Sequence, residues 1–263
     1  MKNLGLRTFS LIASGMFLQL PLMAHAYDAC PNNVTAVVAK SAGIKKEKTE
    51  ENVAVTAVCK TWPHDRKTIL STFAFDEGVE DEKVFVVAMV DSGSQEVISI
   101  YKRVVAEDAA VHFGQFSLSI DTAPCQLARE VRAFGIRFNS DAIGASCAEG
   151  IWGDELTLYV PDGKDLRPVL QGLAMTRLVA REGCFGGASP DVAYDKARLS
   201  LGLAKTSSNG FADLVVTARI NQEGDSELEK KRQRVERYIL RYDGKEYMGS
   251  NDIPWWLTFF RLE

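Results

Sequence analysis

The chain has 263 residues, 46% hydrophobic and 25% charged, the composition of an ordinary globular protein rather than a disordered one. Its formal charge is −4, and the first 26 residues hold two of the 31 basic side chains and none of the 35 acidic ones, so the remainder carries −6. That balance argues against nucleic acid and against an anionic membrane surface, both of which favour a basic face.

Lys2 and Arg7 lead into an apolar run over residues 11–23, which ends in Ala24-His25-Ala26. A basic start, a short apolar stretch and a small-x-small site are the parts of a secretory signal peptide, so residues 1–26 are expected to be removed and the mature chain to begin at Tyr27. No later segment approaches the ~20 apolar residues that span a bilayer. Tyr27-Asp28-Ala29 before Cys30 is not the small-residue context of a lipid-modified cysteine. The expectation is a free periplasmic or secreted protein with no membrane span.

All five cysteines, Cys30, Cys59, Cys125, Cys147 and Cys184, follow the leader. In an oxidising compartment they should pair, and sequence order favours Cys30 with Cys59 and Cys125 with Cys147, leaving Cys184 over. No two are separated by two residues, and only His64 and His112 remain after the leader, so neither a zinc site nor a thioredoxin-like motif is expected.

Short runs rich in branched and aromatic residues recur at 34–39, 53–59, 68–75, 84–90, 97–103, 113–120, 131–138, 155–160, 173–179, 214–220 and 237–242. Such spacing predicts an all-β fold, an antiparallel meander of hairpins, propeller-like or sandwich-like. Turns at Asp91-Ser92-Gly93-Ser94, Asp162-Gly163 and Asp243-Gly244 predict hairpins over 84–101, 156–169 and 235–248. Little helix is expected; residues 124–132 and the charged run 225–237 are the places for it. One domain over 27–263 is favoured, with 139–153 the best position for a division into halves and 181–191 the second.

Residues 205–218 end in Ser207-Ser208-Asn209-Gly210-Phe211-Ala212-Asp213-Leu214 and a branched run. This segment resembles the loop and strand of an FG-GAP repeat, a blade unit of integrin-type propellers, with Asn209, Gly210 and Asp213 in matching places. The resemblance implies a blade-like hairpin. Lys205 stands where the family's calcium loop has an acid and Ser207 is neutral, so no metal or other cofactor is expected.

Three features bear on chemistry. Asp91-Ser92-Gly93, with an approximate second copy at Asp121-Thr122-Ala123, has the form of an aspartic-protease turn, but two lobes cannot be built around a thirty-residue spacing, so a hairpin turn is expected. Cys184 beside Arg181 could serve as a nucleophile if a histidine reached it. Gly144-Ala145-Ser146-Cys147-Ala148 lacks the final glycine of a nucleophile elbow. Trp255, Trp256, Phe259 and Phe260 read as a terminal strand apolar on both faces, packed in the core or exposed as a patch. Lys230, Lys231 and Arg232 form a protruding charged loop able to steer a partner. No residue is assigned a catalytic role. The leading expectation is therefore an exported binding protein of the envelope, an inhibitor or immunity-type protein with a protein partner, ahead of a hydrolase using Asp91 or Cys184 and of an accessory domain of surface assembly.

Overall fold

The computed structural model describes residues 29–45, 54–187, 192–224, 233–249 and 252–262; the leader and the run Lys230, Lys231, Arg232 lie outside them. A helix, α1 (Asn32–Ser41), precedes twelve strands: β1 (Ala54–Trp62), β2 (Asp65–Phe75), β3 (Glu82–Asp91), β4 (Val97–Ala106), β5 (Leu118–Ala128), β6 (Val131–Phe138), β7 (Gly150–Asp162), β8 (Asp165–Glu182), β9 (Ala193–Ser208), β10 (Phe211–Glu223), β11 (Arg234–Tyr242) and β12 (Tyr247–Met248). Consecutive strands pair antiparallel from β1 to β4 and again from β5 to β12. The two runs meet where Ile100 of β4 bridges Asp165 of β8 in parallel. The three expected hairpins are β3–β4, β7–β8 and β11–β12, with Gly163 and Gly244 at positive φ in the last two turns.

Alternation along the strands builds layers. On β3, Val84, Val86, Ala88 and Val90 pack towards α1, while Phe85, Val87 and Met89 pack towards β5–β7, so this strand is apolar on both faces. On β6, Phe134, Ile136 and Phe138 join the second of these clusters, leaving Gly135 and Arg137 on the opposite face. There a third cluster forms, in which Leu156, Leu158, Leu173 and Met175 meet Leu214, Val216, Ala218, Leu240 and Trp256. Each such buried side chain contributes roughly 1.5–3 kcal/mol, which is why the alternation dictates register.

Several expectations need correction. The run 34–39 lies in α1: Val34, Val38 and Ala42 fall four residues apart and are all buried, a helical period that a short apolar run does not separate from a strand. Residues 124–132 are not helical. They form the end of β5, a tight turn closed by Gln126 Nε2 donating to the Ala128 and Arg129 carbonyls, and the start of β6, with Pro124 inside an irregularity of the ladder. Strand begins at Leu118, so Phe113 is a buried loop residue. Residues 234–237 of the second expected helix open β11, while 225–232 lie outside the described residues. β9 has no counterpart among the predicted strands.

The propeller reading of 205–218 is overturned. β9 and β10 are neighbours in one continuous mixed sheet that is neither closed nor strongly curled, and Asn209 and Gly210, both at positive φ, form a tight hairpin turn between them. Asp213 is buried, and its Oδ1 has no hydrogen-bond partner among the described residues. The Thr206 hydroxyl, aided by that of Ser208 and against the pull of burial, keeps its carboxyl below the ordinary range.

The second disulfide also differs. Cys30 and Cys59 are bonded, tying α1 to β1, but Cys147 is bonded to Cys184 and Cys125 is the free cysteine. The two glycine-rich stretches read as division points thus converge: the disulfide and paired main-chain bonds between Ala148 and Phe185 hold them together. Two disulfides fit an oxidising, non-cytoplasmic environment. Among the described residues no helix is long and apolar enough to cross a membrane.

The aromatic C-terminus is not a regular strand. Leu257 N–H donates to Pro254 O in a turn, Trp256 is buried with its indole N–H on Glu236 Oε2 at 2.6 Å, and Phe259 bridges Leu173. Trp255 is the most exposed of the described aromatics here, and Phe259 is half-buried.

Candidate partner-binding face

None of the sequence-derived chemical groups meets another in a reactive arrangement. Cys184 is consumed in its disulfide and has no thiolate to offer. Asp91 Oδ1 accepts the Gly93 and Ser94 N–H groups, and these bonds, that of Ser94 foremost, hold its carboxyl below the usual range. Asp121 is occupied elsewhere: burial raises its carboxyl, but the Ala123 N–H and the Arg137 guanidinium, which donates Nε and Nη2 to Oδ2, bring it down on balance. The two carboxylates therefore share no proton. His64 packs edge-on against Trp62, and His112 sits at a loop where its main-chain N–H donates to Ser140 Oγ. Among the described residues no group of three or more His, Cys, Asp or Glu could hold a metal.

Three cavities measure about 30, 180 and 260 Å³, below the roughly 300–1,000 Å³ of ligand sites. The first is lined by Glu155, whose carboxyl burial pushes up to about 7 against the opposing bond from Trp152. The second has Cys125 in its wall, with the thiol pushed up to about 11 by burial, hence protonated and inert.

The outer face of β9–β11 is different in kind. Register places Arg198, Arg219 and Val235 in one row across the three strands, Ser200, Thr217 and Arg237 in the next, and Gly202, Val215 and Ile239 in the third. Arg241 and Met248 continue the face on β11 and β12. The opposite side of the same strands carries Ala197, Val216, Ala218 and Leu240 in the core, so alternation alone turns these arginines outward. Val235, Ile239 and Met248 are 57%, 48% and 50% exposed. Among the described residues no carboxylate forms an ion pair with Arg198, Arg219, Arg237 or Arg241, although Asp213 lies close enough to Arg241 to feel its charge. Lys196 and Arg181 at the margin are paired, with Glu223 and Asp195.

Like charges directly opposite in a sheet are destabilising, so the Arg198–Arg219 pair works against the fold. The outward alternation of β9 and β10 is legible in the sequence, but the side-by-side placement of the two arginines is fixed only by the pairing. Residues 197–202 alternate Ala, Leu, Leu inward with Arg, Ser, Gly outward, and 215–219 put Val216 and Ala218 inward and Val215, Thr217 and Arg219 outward, whereas 235–239 put Val and Ile outward and Glu and Tyr inward. Of the sequence-derived binding residues, Trp256 is a core residue, Trp255 and Phe259 lie on the terminal segment and in none of these rows, and Lys230, Lys231 and Arg232 fall outside the described residues, in the connection between β10 and β11.

No family model, no curated protein and no solved structure matches the chain.

Proposed function

We propose that this is an exported binding protein of the cell envelope, periplasmic or secreted, which recognises a carboxylate-bearing protein partner through the outer face of β9–β11. The observation that carries the reading is the cross-strand arginine set, without ion-pair partners among the described residues and interleaved with exposed Val235 and Ile239 on a chain of net negative charge. Arginine forks match carboxylates two bonds at a time, and arginine beside apolar side chains is the composition of protein interfaces. The leader-like N-terminus and the two disulfides support the compartment. The small cavities and the engagement of Asp91 and Cys184 favour binding over turnover.

The test uses immobilised mature protein and its Arg198→Glu/Arg219→Glu variant against envelope extract. The expected result is one protein retained at fixed stoichiometry by the first and at least ~30-fold more weakly by the second, reproduced with that protein purified. Retention indifferent to the substitutions, or hydrolysis of peptide or cell-wall substrates by the purified protein, would overturn the reading.

A further inference from the structure

The arginine lattice is small for a protein interface. Three strands at ~4.8 Å and five residues at ~3.3 Å give a patch about 10 Å by 13 Å between Cα positions. Even with the reach of arginine this is a fraction of the ~800 Å² per partner of a stable complex. Side-chain contacts need a second source of affinity.

The edge of β11 supplies one. Val235, Arg237 and Ile239 have strand neighbours on the β10 side, namely Arg219, Thr217 and Val215, while on the other side, among the described residues, β12 pairs with Arg241 and Tyr242 alone. A sheet edge presents N–H and C=O groups at the strand spacing, a template for an added strand. Charges on an edge often serve to prevent such pairing, and Arg234 and Arg237 fit that role. Arg198 and Arg219 do not fit it, because β9 and β10 are interior strands. Their charge is aimed at something that lies across the face.

We infer that the partner presents an extended, carboxylate-bearing segment of about six or seven residues that adds as a strand to the edge of β11, its main chain pairing beside Val235–Arg237–Ile239 and its acidic side chains turned onto Arg237 and Arg219. The inference rests on the arginine face being the binding surface. β12 ends this edge at Arg241, which sets the length of the added strand, and exposed Val235 and Ile239, on the same face as Arg237, offer apolar contact to the aliphatic stems of the acidic side chains.

The probe is a fluorescent nine-residue peptide alternating Glu and Val, compared with a Lys-Val peptide, with the Glu-Val peptide N-methylated at alternate residues along one edge, and with phosphatidylglycerol vesicles. Binding to mature protein is expected for the Glu-Val peptide, at least tenfold weaker with Arg219→Glu of undiminished melting temperature, and at least tenfold weaker for one of the two N-methylated registers. Arginine-dependent binding that tolerates N-methylation in both registers overturns strand addition and leaves the face as the binding surface. Equal binding of the Lys-Val peptide, or no peptide binding, overturns both. Arginine-dependent binding of the vesicles without the peptide replaces the protein segment by an anionic lipid surface.

Discussion

Phe260 lies flat on Trp152, the ring centroids 4.0 Å apart and the planes 3° from parallel. The stack joins the C-terminal segment to β7, and main-chain bonds join it to β8: Ala174 N–H to Thr258 O and Phe260 N–H to Gly172 O. β8 pairs with β4 at its start and with β9 from Thr176 onward, so residues 172–174 lie on a stretch of edge that the terminal segment fills. Arg261 then reaches Glu246 at 2.8 Å, and Leu262 packs into the cluster between β1–β4 and β5–β7.

Gly172 makes this close approach possible. It has φ +61, and a Cβ on it would fall 1.3 Å from the Phe260 carbonyl oxygen. Gly172→Ala should expel the terminal segment and destabilise the protein by about 2–3 kcal/mol, the combined scale of overpacking and left-handed strain. Urea unfolding gives the energy, and faster proteolysis after residue 254 gives the cause. A stable variant with a protected terminus would show that the segment is held without this approach.

Glu155 should make stability fall as pH rises. Burial lifts its carboxyl from 4.5 to about 7 in the folded protein, so the folded state binds the proton more tightly than the unfolded chain. Below about pH 4.5 both states are protonated and nothing is lost. Between there and about 7 the unfolded chain ionises first, and the loss is complete above 7, up to about 3 kcal/mol. Glu155→Gln, which still accepts the Trp152 bond, should match wild type near pH 4 and exceed its stability at pH 8. The same difference at both pH values would contradict the burial argument.

The strands were legible where hydrophobic period and turn chemistry agree. β3 and β4 flank an Asp-Ser-Gly turn, and both faces of β3 announce themselves as an unbroken branched run. β9 gives a weak signal because its inward positions are Ala and Leu rather than β-branched residues, and a glycine interrupts its outward row. α1 reads as a strand because its apolar run, residues 34–39, is too short for periodicity to separate a helix from a strand. The arginine face could not be read as a site, since single arginines become a cluster only when pairing fixes which of them stand side by side. The Cys147–Cys184 bond was hidden for a related reason: proximity of the 139–149 and 183–187 loops depends on the β7–β8 register.

Removing that bond with Cys147→Ala/Cys184→Ala should cost up to ~4 kcal/mol, the chain-entropy scale for closing a loop of 37 residues. Non-reducing peptide mapping should find Cys147 with Cys184 and leave Cys125 as the single thiol. With its pKa near 11, Cys125 holds about a hundredfold less thiolate at pH 7 than an ordinary cysteine, so its labelling in the native protein should be slower by at least that factor and become fast in denaturant. Rapid labelling of Cys184 instead would refute the pairing.

The opposed pair Arg198 and Arg219 leads to a prediction in which a substitution improves the fold. Two exposed guanidinium groups directly across a ladder repel, and no carboxylate among the described residues forms an ion pair with either. Arg198→Glu turns the repulsion into attraction, at a surface position with no core contact to lose. Stability should rise by about 0.5–1 kcal/mol, the range for cross-strand charge pairs. Salt separates this cause from any change in packing. Raising ionic strength from 0.01 M to 1 M shortens the screening length from ~30 Å to ~3 Å, so wild type should gain on the variant and the two should converge. A gain in stability that survives 1 M salt would trace to packing or strand propensity instead. A gain that vanishes in salt, together with loss of acidic-peptide binding, is the signature of charges retained for a partner at the expense of the fold.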